Sequence, residues 1–408
     1  MSATIEQTDT TRAGGRHVVL AILALSVGGF AIGTTEFVTM GLLPQIADGV
    51  EASIPKAGHL ISAYAVGVVV GAPLLALFGA KLPRKGLLLV LAGWLLVGNG
   101  LSALSAHYGM LMFARFFAGL PHGAYFGVAS LVAASLVPAE RKGRAVSQVM
   151  LGLAIANIVG VPAATWLGQN LGWRSAYWAV SVIAALTLVL VWRFVPHVAA
   201  DPDASSRREL QAFRRPQVWL TVVTGAVGFG GMFAVYSYIA PIVTQVGGLS
   251  DSAVPVFLLV FGLGMTTGTW VGGIGADWSV FRSLVLAIVG TLALMLIFFA
   301  TARTGWPAIV VLYLIAVATS VVAVNLQLRL MSVAGEAQTV GAALNHAALN
   351  LANALGAWLG GLVIAAGLGY NAPALVGAGL SVLGLVALGI SGNLHVRTTR
   401  RERDLSGV

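Results

Sequence analysis

The feature that most restricts this chain is a recurrence: mostly apolar stretches of about twenty residues follow one another along its length, separated by short clusters of charges and turns. A bilayer core of about 30 Å is crossed by about 20 residues of α-helix. Backbone in lipid must bond to itself, so runs of this length specify spanning helices. They lie near 18–42, 56–78, 86–105, 110–135, 143–168, 174–195, 217–244, 253–275, 283–301, 306–327, 339–367 and 371–392, which makes twelve. Of the 408 residues, 58% are hydrophobic and 9% charged, against about 25% charged in a soluble domain. The 51 glycines allow helices to approach closely. Cysteine is absent, which excludes disulfides and thiolate metal sites. The expected fold is an all-α membrane protein.

The net charge of +9 reads as topology, not as a nucleic-acid footprint. Connections after the odd-numbered runs hold only Lys56, Arg174 and Arg303, whereas the termini and the even connections hold nineteen Lys and Arg. The positive-inside rule then places both termini in the cytoplasm, with the basic residues against lipid headgroups. The first 17 residues are polar, and the run after them is too long for a cleaved signal peptide. The longest polar connection, 196–216, divides the runs six and six. The expected organisation is a tail (1–17), a bundle (18–195), a cytoplasmic linker (196–216), a second bundle (217–392) and a tail (393–408).

The halves repeat. Tyr64-x-x-Gly67-x-x-x-Gly71 in the second run answers Phe261-x-x-Gly264-x-x-x-Gly268 in the eighth, 197 residues on. Ala156-Asn157-x-x-Gly160 answers Ala352-Asn353-x-x-Gly356, 196 on. Parallel repeats of this kind build transporters whose substrate site lies between the halves at mid-membrane. Two charges lie inside apolar runs, Arg115 in the fourth and Glu36 in the first. A charge at that depth costs roughly 2.5 to 3.5 kcal/mol on insertion scales, so both are candidate functional residues. Neither has a charged counterpart in the second half, where the offset maps them onto Leu312 and Phe233.

On this repeat the chain resembles the major facilitator superfamily. Thr35-Glu36-Phe37, with Gly41-Leu-Leu-Pro44 closing the first run, resembles its arabinose-efflux-permease branch of drug:proton antiporters. That resemblance implies twelve helices in two six-helix bundles, alternating access, and a monomer exporting a drug, sugar or nucleoside. Arg115-x-x-x-Gly119-x-x-x-Gly123-x-x-x-Gly127 is similar to the family motif whose Arg takes part in proton transfer. A desolvated Glu36 can load a proton and release it when Arg⁺ or a cationic ligand approaches. A purely structural ion pair is the alternative.

Gly160-Val-Pro162, inside a stripe of small residues, resembles the antiporter motif of exporters. The family's cytoplasmic latch is kept only in part: Arg84 and Lys85 match, its Asp position is Ala80, and the second half retains Asp277 before Arg282. His346, Asn350 and Asn353 form one polar face on the eleventh run and line a cavity or bond a neighbour. Tyr236, Tyr238, Asn325 and Gln327, on the seventh and tenth runs, are candidates to face substrate because those helices oppose the first and fourth in the family. His59 and His122 read as satisfied packing residues.

No phosphate-binding loop, zinc-protease motif or serine-hydrolase elbow occurs, so neither ATP hydrolysis nor an embedded enzyme is expected. No cofactor is expected. The partners are protons, a small-molecule substrate and the bilayer. The remaining alternative is an importer or facilitator of a sugar or nucleoside.

Overall fold

A computed structural model describes residues 2–79, 82–138, 141–198, 215–334 and 338–406. Ala80 and most of the 196–216 linker lie outside them. Among the described residues all regular structure is helical. Among the described residues eleven helices are long and apolar enough to cross a membrane: α1 (Arg16–Gly41), α2 (Ile54–Ala72), α3 (Arg84–Leu104), α4 (Tyr108–Ser135), α5 (Lys142–Leu171), α6 (Arg174–Phe194), α7 (Pro216–Tyr236), α8 (Asp251–Thr304), α9 (Ala308–Ala334), α10 (Leu344–Ala365) and α11 (Pro373–Leu394). Large apolar side chains such as Leu104, Phe113, Val182 and Trp270 are more than half exposed, giving an outer surface suited to lipid.

The sequence contains twelve apolar runs and the fold eleven continuous spans, because the eighth and ninth runs are joined in α8. Straight, its 54 residues would reach about 80 Å. The chain instead turns at Ser279, whose backbone is extended (φ −172°, ψ 113°). Ser279 Oγ accepts the Arg282 N–H at 3.3 Å, capping the arm that follows. Ser283 Oγ donates to the Gly275 carbonyl at 2.6 Å. Eight residues of straight helix would separate those groups by about 12 Å, so α8 is two arms folded at the serine.

The glycine repeat of the sequence is a repeat of contacts. A Cβ at Gly67 or Gly71 of α2 would strike the Phe116 or Leu120 carbonyl of α4. A Cβ at Gly264 or Gly268 of α8 would strike the Tyr313 or Val317 carbonyl of α9. All four contact residues recur at the same spacing of 197. Gly33 of α1 likewise abuts Ala156 of α5, and Gly230 of α7 abuts Ala352 of α10. At the α2–α4 and α8–α9 crossings backbone packs against backbone, which the bilayer favours in the absence of a hydrophobic drive.

Helix α5 contains a π turn at Ala156–Gly160, two residues before Pro162. Proline cannot donate to the carbonyl four residues back, and the wider turn absorbs that loss. Below the turn Gly152 lies against the Ser26 carbonyl of α1, and at the turn the Asn157 carbonyl lies against Gly262 of α8.

One end of the molecule is sealed. Gln45 Nε2 donates to Asp251 Oδ2 at 3.3 Å, and Gln169 Nε2 donates to the Asp251 carbonyl at 2.9 Å. Ser62 of α2 donates to the Ala354 carbonyl of α10 at 3.0 Å. Beside it the Tyr238 ring sits against Gly58 and Gly361 while its hydroxyl donates to the Ala357 carbonyl at 2.7 Å. The bonds of Gln45, Gln169 and Ser62, with the contact of Tyr238 on Gly58, join the first six spans to the later ones.

A caged arginine beside a buried carboxylate

Arg115 is completely buried. It projects from the first part of α4, seven residues into a helix capped by His107, whose Nδ1 accepts the Met110 N–H. Its guanidinium donates from Nη1 to Thr35 Oγ1 and from Nη2 to the Thr35 carbonyl, both at 3.0 Å. Thr35 in turn donates to Asn99 Oδ1 of α3, and Asn99 Nδ2 donates to the Leu95 carbonyl at 2.8 Å. The rings of Tyr64 (α2) and Tyr177 (α6) lie 4.4 and 5.5 Å from the guanidinium carbon, within cation–π range. Tyr177 is held by its hydroxyl bond to Thr39 at 2.8 Å. The cation is therefore desolvated but surrounded by oxygen acceptors and π faces; only Nε lacks a partner.

Glu36 follows Thr35 on α1 and is 6% exposed. It stands beside the Asn353 amide of α10 and within electrostatic reach of Arg115, without an ion pair among the described residues. Tyr64 and Tyr236 also feel its charge. Phe37 meets Phe233 and Tyr236 at ring separations of 6.3 and 5.8 Å, and Tyr236 stacks on Phe261 at 4.0 Å. On the two helices that carry Asn353 and the π turn, buried amide oxygens stand without a partner: Asn353 Oδ1, Asn350 Oδ1 one turn along α10, and Asn157 Oδ1 at the π turn of α5. Buried polar groups are almost always bonded. Beside Glu36, the Asn353 amide offers hydrogen-bonding chemistry to a ligand.

The structure thus brings Glu36, Arg115, Tyr236 and Asn353 together. His346 lies further along α10, its ring stacked on Phe126 of α4 at 6.0 Å, and its carbonyl accepts from Asn350 Nδ2 at 3.0 Å. Tyr238 belongs to the seal. Asn325 ties α9 to α8 through the Gly272 carbonyl at 3.1 Å, and Gln327 is half-buried on the same helix. Gly160 and Pro162 bracket the end of the π turn.

At the opposite edge Lys85 Nζ donates to the Trp192 carbonyl at 2.8 Å, closing the end of α6, and the Arg84 N–H donates to the Val198 carbonyl at 3.1 Å. Asp277 and Arg282 are exposed, and Arg282 lies over the Trp278 ring at 5.6 Å. Among the described residues no ion pair joins these four. Sequence reasoning did not single out Asn99 or Tyr177. Asn99 was signalled by an amide within an apolar run, whereas nothing local marks Tyr177.

Comparison with known proteins identifies the family and the fold. The family model of the Major Facilitator Superfamily matches residues 25–345. An inner membrane transport protein, YdhP, of Escherichia coli (strain K12) is 41% identical over 377 residues, covering 92% of this chain and 97% of its own. A chloramphenicol resistance protein of Streptomyces lividans is 34% identical over 297 residues, covering 72% of this chain and 73% of its own. In fold, the chain is similar to a crystal structure of a D-xylose–proton symporter, with a TM-score of 0.70 at 17% identity over 92% of this chain and 97% of that one. With its family match, its coverage of these relatives and its many spanning helices, this chain belongs to the Major Facilitator Superfamily of membrane transporters, as a multi-pass protein of the bacterial inner membrane.

Proposed function

We propose that this protein exports a small organic molecule, a drug, sugar or nucleoside, in exchange for protons by alternating access. The observation that carries the reading is Glu36: a buried carboxylate beside, but not paired with, a cation that is already satisfied by Thr35. A carboxylate locked in an ion pair has no reason to take a proton; one left beside open amides does. Proton and ligand then compete for one place, which is the requirement for antiport. One proton moving inward through roughly 100 mV supplies about 2.3 kcal/mol, enough for a roughly fifty-fold gradient.

In this reading the two arms of α8 each cross the bilayer, giving twelve crossings in two six-helix bundles (18–195 and 217–392). The linker and both termini lie in the cytoplasm, and the protein works as a monomer. The sealed end is then extracellular. Arg115 sets the field at Glu36, Tyr236, Asn350 and Asn353 meet the ligand, and Asn325 and Gln327 stand on the wall opposite the first bundle. The π turn at Gly160 and Pro162 serves rocking, and the edge residues Arg84, Lys85, Asp277 and Arg282 close the cytoplasmic side in the alternate state. Names of relatives support export: a chloramphenicol resistance protein, and a probable sugar efflux transporter of Helicobacter pylori.

The test is proton release from everted, respiring vesicles challenged with chloramphenicol-like drugs, lipophilic cations, pentoses and nucleosides. At least one compound is expected to dissipate the pH gradient with native protein and not with Glu36→Gln. If none does while radiolabelled solute still crosses, the protein is a facilitator and the proposal fails.

A further inference from the structure

Alternating access requires the shut end of the molecule to yield, and the seal holds one side chain whose fit depends on both halves. Tyr238 is completely buried. It stands where α7 is interrupted: the α-helix stops at Tyr236 and resumes for Ile239–Pro241 before a π turn at Ile242–Val246. Pro241 cannot donate to the Ser237 carbonyl four residues back, so nothing holds the backbone in helix there. At Tyr238 it departs, with φ −114° and ψ 21°, and the ring lies at the crossing of α2 and α10.

One half carries the ring and the other receives it. Among the later spans, the hydroxyl donates to the Ala357 carbonyl at 2.7 Å and the ring lies along Gly360. Among the first six, Gly58 of α2 faces the tip of the ring, and a methyl there would strike Oη, Cζ and Cε1 together. Gly361 of α10 completes the socket, between Oη and the Pro55 carbonyl of α2. Glycine inside a helix costs backbone entropy, and here it leaves room that no other residue would. The Gln45–Asp251 bond is exposed, whereas Tyr238 is enclosed, so the seat of the ring is the part of the seal that a single methyl can disturb.

We infer that Tyr238 is the plug of the sealed end: seated against Gly58 it shuts the way between Glu36 and the outside, and the outward-open state requires it to leave that socket. The inference rests on the reading of alternating access. Because the hydroxyl is bonded to α10 and the socket is on α2, parting of the halves carries the ring away with the later spans and leaves Gly58 behind. A methyl at Gly58 therefore penalises the sealed state alone, and a change felt by one state only shifts the balance between the two. The plug also has a link to the ligand site. Tyr236, just before the interruption, meets the ring of Phe37, the neighbour of Glu36, at 5.8 Å. A ligand that displaces the Tyr236 ring pulls on the segment that carries Tyr238.

The experiment uses the full chain in liposomes. Cysteine is absent, so Asp48→Cys and Arg303→Cys, both exposed and one on each half, carry the only two spin labels. Pulsed electron resonance reads the distance between them at acidic and at alkaline pH, with Gly58 and Tyr238 native, with Gly58→Ala, with Tyr238→Ala, and with both changes. With Tyr238 in place, Gly58→Ala is expected to raise the ratio of long to short distances by on the order of tenfold or more; with Tyr238→Ala the same methyl should change it little. Tyr238→Ala alone empties the socket and should also raise the ratio, which keeps the test intact if Gly58→Ala does not fold. An unchanged ratio in either single variant, or an equal effect of the methyl with and without Tyr238, overturns the plug; a long-distance population in the native background then leaves alternating access standing. If no sample shows the long distance at either pH, alternating access fails, and the plug with it.

Discussion

At the scale of single residues, the cost of burying Arg115 is met by Thr35, which uses both its hydroxyl and its carbonyl. The threonine hydroxyl accepts from the cation and donates to Asn99, so its orientation depends on that acceptor. Asn99→Leu removes it and leaves a buried hydroxyl unsatisfied. The expected loss is about 1 to 3 kcal/mol, read as a lowered thermal unfolding midpoint of the purified protein. Arg115→Lys keeps the charge but not the two-pronged hold on Thr35 or the stacking on Tyr64. It is expected to fold and to lose most proton-coupled flux in the vesicle assay. Both interior charges were legible in the sequence, because a charge within an apolar run announces itself. Their surroundings were not: Thr35, Tyr64, Asn99 and Tyr177 arrive on four different helices, and nothing in the local pattern of any one of them points at Arg115.

At the scale of helices, glycine sets which pairs pack most closely. Gly67→Ala and Gly264→Ala place a methyl against equivalent carbonyls, of Phe116 and Tyr313. Each is expected to cost about 1 to 3 kcal/mol through overpacking, read in thermal unfolding, with the larger loss at Gly67, where the added methyl would come 2.2 Å from the carbonyl against 2.7 Å at Gly264. A negligible loss at either site would mean that the repeat is one of sequence without equivalent packing. This recurrence could be read before the fold was known because both partners of each contact keep their spacing. The turn at Ser279 and the π turn at Ala156–Gly160 could not. An apolar run carries no periodic mark of where one helix yields to the next. Pro162 gives notice of a disturbance in α5 without telling whether the helix kinks or widens.

At the scale of the whole molecule, the seal joins parts distant in sequence. Because cysteine is absent, Gln45→Cys and Asp251→Cys introduce the only two thiols. A short reducible thiol crosslinker is expected to join them, to abolish proton-coupled flux, and to release it again on reduction. Unimpeded flux in the crosslinked protein would place the moving boundary elsewhere. The two halves were legible through the offset of 197, but not which end would be shut, since that depends on contacts between halves. The cage of Arg115 bears on how freely such halves part. Among the described residues, every group that holds the cation belongs to the first six spans, and the later ones bring to Glu36 the uncharged Asn353 amide and Tyr236. Separation therefore breaks no ion pair at the centre: the positive charge rides with its own half like a fixed fitting, and the electrostatic barrier to rocking is set by whether Glu36 is carrying a proton.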